Sequence, residues 1–296
     1  MAPVYKVAVV QLYPKPMQIE YNFDKASKAI RAAASQGAEL VVLPEYHLTG
    51  WVPKTEGFLE LCDQWETYLH KYQALAKELG ICIVPGTIVE RHKDAESDEE
   101  KLLNVAYFIG KEGGILGKYI KKNLWYPERE HLTSSTTDQH QVFNTPMGRV
   151  GLLICWDLAF PEAFREIISQ GAKIIIIPTF WKLDDCSPAG LAYNPSAEAL
   201  FLDTMLTARA FENTCAIIFA NTGGPPGEGY AGLSQVTIPF VGPIIKLNSG
   251  AEGMAIADLD LAVLDIAEEN YKVRHDIGRE DWHYTYRHSS FAQEEK

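Results

Sequence analysis

The sequence of 296 residues predicts an α/β sandwich: two sheets, each with a layer of helices outside it. Two observations carry that prediction. The short runs 41–43, 152–154 and 174–177 are apolar without alternation, the pattern of strands covered on both faces. In addition, one unit occurs twice. Ser35-Gln-Gly-Ala-Glu-Leu-Val-Val-Leu-Pro-Glu45 is echoed by Ser169-Gln-Gly-Ala-Lys-Ile-Ile-Ile-Ile-Pro-Thr179, with helix end, glycine cap, buried strand and proline stop in one order. Any helix-to-strand connection can use glycine and a short apolar run, so the echo has a plain reading beside that of an internal pseudo-repeat. In the repeat reading Thr179 stands where Glu45 stands, at a strand tip facing the cleft. Thr179, Phe180 and Trp181 are then expected to line the pocket.

Element by element, residues 26–35 have helical periodicity, with Ile30 and the alanines on one face and Gly37 as C-terminal cap. The strand 40–43 follows. Residues 81–90 and 104–109 read as a hairpin pair, and the charge run 93–101 between them reads as its solvated loop rather than a docking epitope. Pro161 opens a helix over 163–170 with an apolar stripe of Phe164, Ile167 and Ile168, and Gly171 caps it before the strand 174–177. Turn formers bound the loop 187–195, which is either a lid or a passive connector. Asn194 and Pro195 read as cap and first position of a helix running to about residue 213. The run 255–260 is a strand that closes a sheet. Beyond residue 270 the tail is aromatic and charged, and Trp282, Tyr284, Tyr286 and Phe291 need something to pack against.

Three strand ends carry reactive side chains. In Gly151-Leu-Leu-Ile-Cys-Trp-Asp157 an apolar strand delivers Cys155 to a turn before a helix, where amide N–H groups and the helix dipole favour a thiolate and later an oxyanion. A small buried apolar residue is the plain alternative for such a cysteine. Leu40-Val-Val-Leu-Pro-Glu45 delivers a carboxylate, and Gly117-Lys-Tyr-Ile-Lys121 an ammonium. Together they form an amide-cleaving set. Glu45 can take the thiol proton and return it to the departing nitrogen, while Lys121 and the Trp156 N–H hold the oxyanion. A Cys155–His47 pair is possible on paper but leaves Lys121 and Glu45 without roles.

These segments resemble the carbon–nitrogen hydrolase (nitrilase) superfamily along nearly the whole chain, read as one domain over 1–296. Leu43-Pro-Glu45, Tyr119-Ile-Lys121 with Leu124, and Cys155-Trp-Asp with Phe160-Pro-Glu162 resemble its three motifs, in order. Val7-Ala-Val-Val-Gln11 resembles its first strand, and Ala208-Arg-Ala-Phe-Glu-Asn213, Asn221 and Gly232-Leu-Ser234 its later signatures. The resemblance implies a four-layer α-β-β-α sandwich and a Glu45-Lys121-Cys155 triad. It also implies that Glu128 is a second glutamate orienting the lysine and substrate. Three positions depart from the pattern. Asn123 stands where histidine is usual, Ile120 where arginine is common, and Leu132-Thr-Ser-Ser-Thr136 replaces a Pro-Gly-Asp stretch.

Asp157 rather than glutamate after Cys155-Trp156 resembles amidase-type branches, so a small-molecule amide is the expected substrate and a nitrile the alternative. A catalytically idle binding or assembly relative is the reading from another class. Trp51, Trp125, Trp156, Trp181 and Tyr126, next to Tyr46, either box an apolar acyl group or pack between layers. The net charge of −12 without a basic face argues against nucleic acid. No apolar run approaches a membrane span, and no signal-peptide pattern opens the chain. Five cysteines without a C-x-x-C pair suit a reducing compartment, and cytoplasmic location is expected. No metal site and no cofactor are expected, because the eight histidines are scattered. Tails comparable to 270–296 extend over a neighbouring subunit in the family, which implies a homodimer or higher homo-oligomer.

Overall fold

The computed structural model describes residues 2–93 and 100–284; most of the charge run at 93–101, and Tyr286 and Phe291 of the tail, lie outside the described residues. The strands are β1 (Val4–Gln11), β2 (Leu40–Val42), β3 (Cys82–Val84), β4 (Thr87–Lys93), β5 (Glu100–Ile109) and β6 (Ile115–Ile120). There follow β7 (Val142–Thr145), β8 (Gly148–Leu152), β9 (Ile174–Thr179), β10 (Ala216–Asn221), β11 (Gln235–Ile238), β12 (Gly242–Lys246) and β13 (Gly253–Asp260). Among the described residues they make two sheets. One has the order β13-β1-β2-β3-β5-β4, with β6 on β5; the other runs β12-β11-β10-β9-β8-β7.

The two parities of the central strands explain the absence of polar alternation. Val7, Val9, Leu40, Val42, Cys82 and Val84 pack in one core with β8, β9 and β10 of the facing sheet. Ala8, Val10, Val41, Leu43 and Ile83 pack in another with helices α1 (Ile19–Ser35) and α3 (Trp65–Leu79), which flank the short α2 (Phe58–Cys62). Both faces meet apolar partners, so both parities must be apolar. Helices α4 (Pro161–Ser169) and α6 (Ala197–Glu212), with the one-turn α5 (Pro188–Tyr193) between them, cover the second sheet through Phe164, Ile167, Leu202 and Leu206. Each of Ile174 to Ile177 is fully buried, a gain of about 1.5–3 kcal/mol per side chain over exposure. The layers are therefore α-β-β-α, as expected. Helices α7 (Ala262–Tyr271) and α8 (Val273–Ile277) follow the last strand. No described helix is long and apolar enough to cross a membrane.

The duplication runs further than the echoed segment. Leu40 pairs in parallel with Val7 and with Cys82, and Ile174 with Val150 and with Ala216. Two β-α-β-α-β units, β1 to β3 and β8 to β10, thus share one plan. Gly37 and Gly171 both take left-handed φ, 84° and 90°, where each helix turns back to its strand. At the tips the units touch: the Glu45 N–H donates to the Thr179 carbonyl at 3.3 Å.

Two local expectations are corrected. The run 81–90 is not one strand. It breaks at Pro85-Gly86, where β3 ends its parallel pairing with β2 and β4 starts its antiparallel pairing with β5. Gly86 has φ +59°, and a Cβ there would lie 1.8 Å from the Pro44 oxygen, so glycine is required for the two loops to cross. Likewise the helix expected from Pro195 begins at Ala197. Asn194 instead makes a turn of its own, its Oδ1 accepting the Ser196 N–H at 2.9 Å, and Ser187 caps α5 through the Gly190 N–H at 3.2 Å.

Candidate active site

Strands β2, β6, β8 and β9 all point their C-terminal ends at one cleft, and the residues that follow them are Glu45, Lys121, Cys155 and Phe180. Glu45 Oε1 accepts from Lys121 Nζ at 2.9 Å and from Asn104 Nδ2 at 2.7 Å, and its Oε2 accepts the Phe180 N–H at 2.8 Å. Lys121 Nζ also donates to Glu128 Oε1 at 2.8 Å. Glu128 lies on a single 3-10 turn, Tyr126–Glu130, and is held by the Tyr46 hydroxyl and by the Trp125 N–H at 2.7 Å. Asn104 Nδ2 reaches the Tyr46 oxygen as well, at 2.9 Å. One ammonium therefore sits between two carboxylates, with Glu45 and Lys121 fully buried.

Burial disfavours ionised Glu45 more than Lys121 favours it, and its carboxyl is pushed up to about 7. Burial also works against the Lys121 ammonium, but Glu45 and Glu128 outweigh it and hold the amine above its ordinary value. The Cys155 thiol is driven well up, by burial first and by the Glu45 charge second, with Lys121 opposing. The resting arrangement is thus a neutral thiol beside a carboxyl poised near neutrality. Burial lowers His47 to about 3; its ring contacts the Tyr72 hydroxyl at 2.6 Å and the Pro44 carbonyl at 3.2 Å, not Cys155.

Cys155 has φ +46°, in the left-handed region, and opens the 3-10 turn Cys155–Ala159. A non-glycine residue there is strained by about 1–3 kcal/mol and needs its surroundings to hold it. Asp157 supplies one restraint. Its Oδ2 accepts the Ile154 N–H at 2.9 Å and the Tyr119 hydroxyl at 2.8 Å, and its Oδ1 accepts Asn123 Nδ2 at 2.8 Å. The thiol turn is thereby tied to the chain on both sides of Lys121. Arg209 of α6 supplies another, donating to the Leu158 and Ala159 carbonyls at 3.3 and 3.4 Å. Cys155 Sγ donates to the Phe180 carbonyl at 3.8 Å. The Trp156 N–H, second in the turn, has no carbonyl acceptor within it.

A cavity of about 360 Å³ opens on this cluster, and Cys155 and Glu128 line it. Its walls are largely aromatic, with Tyr46, Trp51, Trp125, Trp156, Phe180, Trp181 and Tyr230, and Lys182 and Asp185 also line it. Trp125 meets Trp156 edge to face at 4.5 Å, and Trp51 stacks on Tyr46 at 4.6 Å.

The carbon–nitrogen hydrolase sequence profile matches residues 6–267. The chain belongs to the carbon–nitrogen hydrolase family. Similar proteins include a nitrilase of Pyrococcus abyssi, 31% identical over 86% of this chain and 90% of that one. Another is a 2-oxoglutaramate amidase of Bacillus subtilis, 29% identical over 89% and 96%. A mutant of the amidase from Nesterenkonia sp. AN1 in complex with butyramide superposes with TM-score 0.71 at 25% identity, over 90% of this chain and 96% of that one.

Within this carbon–nitrogen hydrolase, the expected site residues Glu45, Lys121, Glu128, Cys155, Trp156, Tyr46, Trp125, Phe180 and Trp181 come together around the cavity. Thr179 does not line it. Its hydroxyl turns back to the Ile177 carbonyl at 3.2 Å and its own carbonyl takes the Glu45 N–H, so the position matching Glu45 serves as a support. Tyr126 is also outside, 75% exposed. All four tryptophans line the cavity, and Trp156 and Trp181 also stack on Phe201. Asn104 and the Phe180 peptide were not foreseen. The signal for Asn104 is a buried amide in an otherwise apolar strand; a backbone peptide leaves no signal in side-chain identity.

Proposed function

We propose that this carbon–nitrogen hydrolase cleaves the amide bond of a small molecule through a thioester on Cys155. The observation that carries the reading is the Phe180 backbone, whose N–H binds Glu45 while its carbonyl meets the Cys155 thiol. It makes the two buried groups neighbours. Because the thiol rests protonated, the sulfur must lose its proton during attack, and Glu45 is the acceptor beside it.

In the first step the Sγ–carbon bond forms as the thiol proton passes to Glu45. Charge collects on the carbonyl oxygen, and Lys121 Nζ and the Trp156 N–H hold it. Glu45 then gives its proton to the nitrogen, the C–N bond breaks, and ammonia or an amine leaves. Water, deprotonated by Glu45, attacks the thioester carbon; the acid departs and the thiol recovers its proton. Glu128 acts by fixing Lys121. Relatives named amidase support an amide substrate, as does Asp157, which here braces the thiol turn. Ammonia release from a panel of amides and nitriles, comparing wild type with Cys155→Ala, tests the reading. Release from amides that disappears in the variant is expected; release from nitriles alone would make the protein a nitrilase, and release that survives would remove Cys155 as nucleophile.

The aromatic walls favour an apolar acyl group. Trp125→Ala should lower kcat/KM for aryl amides about tenfold more than for short aliphatic amides, in line with the loss of one aromatic contact. Equal losses would assign Trp125 to packing. The proposal includes a homodimer with residues 270–296 at its interface, and the exposure of Phe240 and Tyr271, whose rings meet at 5.5 Å, supports it. Sedimentation of the full chain against one truncated after residue 269 reads it out.

A further inference from the structure

Asn221 is the last residue of β10, paired in register with Thr179 of β9. Its side chain is fully buried and uses its complete hydrogen-bonding capacity. Oδ1 accepts the Trp181 N–H at 2.8 Å and the Thr222 N–H at 2.9 Å. Nδ2 donates to the Trp181 carbonyl at 3.1 Å and to the Gly232 carbonyl at 2.8 Å. The amide therefore pairs with both backbone groups of Trp181, as a neighbouring strand would, at the point where the chain has run off the end of β9. Behind it the Asn221 N–H donates to Ser234 Oγ at 2.9 Å, and Ser234 Oγ donates to Gln11 Oε1 at 2.8 Å. Gln11 in turn is anchored on the Ser249 and Ala251 carbonyls. This chain of buried polar groups runs from Gln11 of the first strand through Ser234 and Asn221 of the later signatures and ends on the peptide that joins Phe180 to Trp181.

We infer that Asn221 is a positioning residue for amide cleavage: by clamping the Trp181 backbone it holds the peptide whose Phe180 carbonyl meets Cys155, and through Phe180 it sets the preceding N–H that binds Glu45. The inference rests on the reading of Glu45 as base. Loosening the clamp weakens a hydrogen bond that favours the ionised carboxylate, so Glu45 should hold its proton to higher pH. The other groups facing Glu45, namely Lys121, Glu128, Asn104, Tyr46 and Cys155, make none of their hydrogen bonds to Asn221, and the change should reach Glu45 through Phe180.

The test is the acid limb of kcat/KM for an amide, together with the pH dependence of Cys155 labelling by iodoacetamide. In Asn221→Ser both should move to higher pH by about one unit, the size of a lost hydrogen bond to a charged group. A slower enzyme whose acid limb and labelling profile stay in place would overturn the inference, because general loosening lowers rates without moving a single titration. Ser234→Ala removes the hydroxyl that accepts the Asn221 N–H and bonds Gln11 but leaves the Asn221 side chain on Trp181, and it should shift both profiles the same way by less. If Asn221→Ser fails to fold, that variant decides, and an unmoved profile there overturns the inference too. Glu45→Gln is run in parallel: full activity in it would sink the base reading, whatever Asn221 does.

Discussion

Glu45→Gln is expected to lower kcat/KM for amides by about 10⁴-fold, the upper range for losing a positioned proton-transfer group, because in the proposed mechanism the carboxylate serves both half-reactions. The fold should tolerate the change. Glutamine keeps an acceptor for Lys121 and Asn104, and Lys121 retains the Glu128 carboxylate. The variant also separates two roles by sign. The Glu45 charge is the second cause, after burial, of the raised Cys155 thiol. If Glu45 did nothing but repel the thiolate, its neutralisation would make the sulfur easier to ionise, and iodoacetamide would label Cys155 faster. As a base it assists the loss of the thiol proton, and labelling should slow. The wild-type pH profile carries the same logic. Glu45 can accept a proton only when ionised, and burial has pushed it up to about 7. Activity should therefore rise with pH through about 7, and a profile flat between pH 6 and 8 would place the base elsewhere.

What sequence could supply here was the strand ends. Glu45 and Cys155 are readable because apolar runs that stop there announce tips, and parallel strands gather their tips at one edge; Lys121 leaves β6, which pairs antiparallel with β5, and is readable from its motif instead. The duplication was readable for a related reason: both halves need the same glycine and the same doubly buried strand. The contacts that set distances were not. Phe180 acts through its peptide, which any residue possesses, and the Cys155 turn takes a backbone conformation that no residue type there advertises. The break at Pro85-Gly86 was lost because apolar residues continue on both sides of it; the close approach of the Pro44 carbonyl is a tertiary fact. Thr179 shows the limit of reading by repetition. The repeat places its backbone beside Glu45, yet its hydroxyl bonds to its own strand, so equivalent position does not imply equivalent role.

Lys121→Met should remove both activity and a large part of the stability, and the two losses can be pulled apart. The ammonium is the cation that Glu45 and Glu128 share, and all three groups are buried. Taking away one partner of a buried ion cluster leaves uncompensated charge, at a cost of about 3–5 kcal/mol. The deficit should depend on pH in a definite direction. Without Lys121 the buried Glu45 carboxyl loses the cation that opposes its burial, and it titrates higher in the folded state than in the unfolded chain, where carboxyls release their protons at ordinary acidity. The folded variant then binds more protons, and its stability falls as pH rises through that interval. Denaturant midpoints of variant and wild type should converge toward pH 4 and separate toward pH 8. Adding Glu128→Gln removes one of the two stranded charges and should restore much of the stability at pH 8. It should not restore turnover, because the oxyanion would still lack the Lys121 donor. Recovery of activity together with stability in the double variant would make Lys121 a counter-ion for the carboxylates and nothing more, leaving the Trp156 N–H as the proposed oxyanion donor.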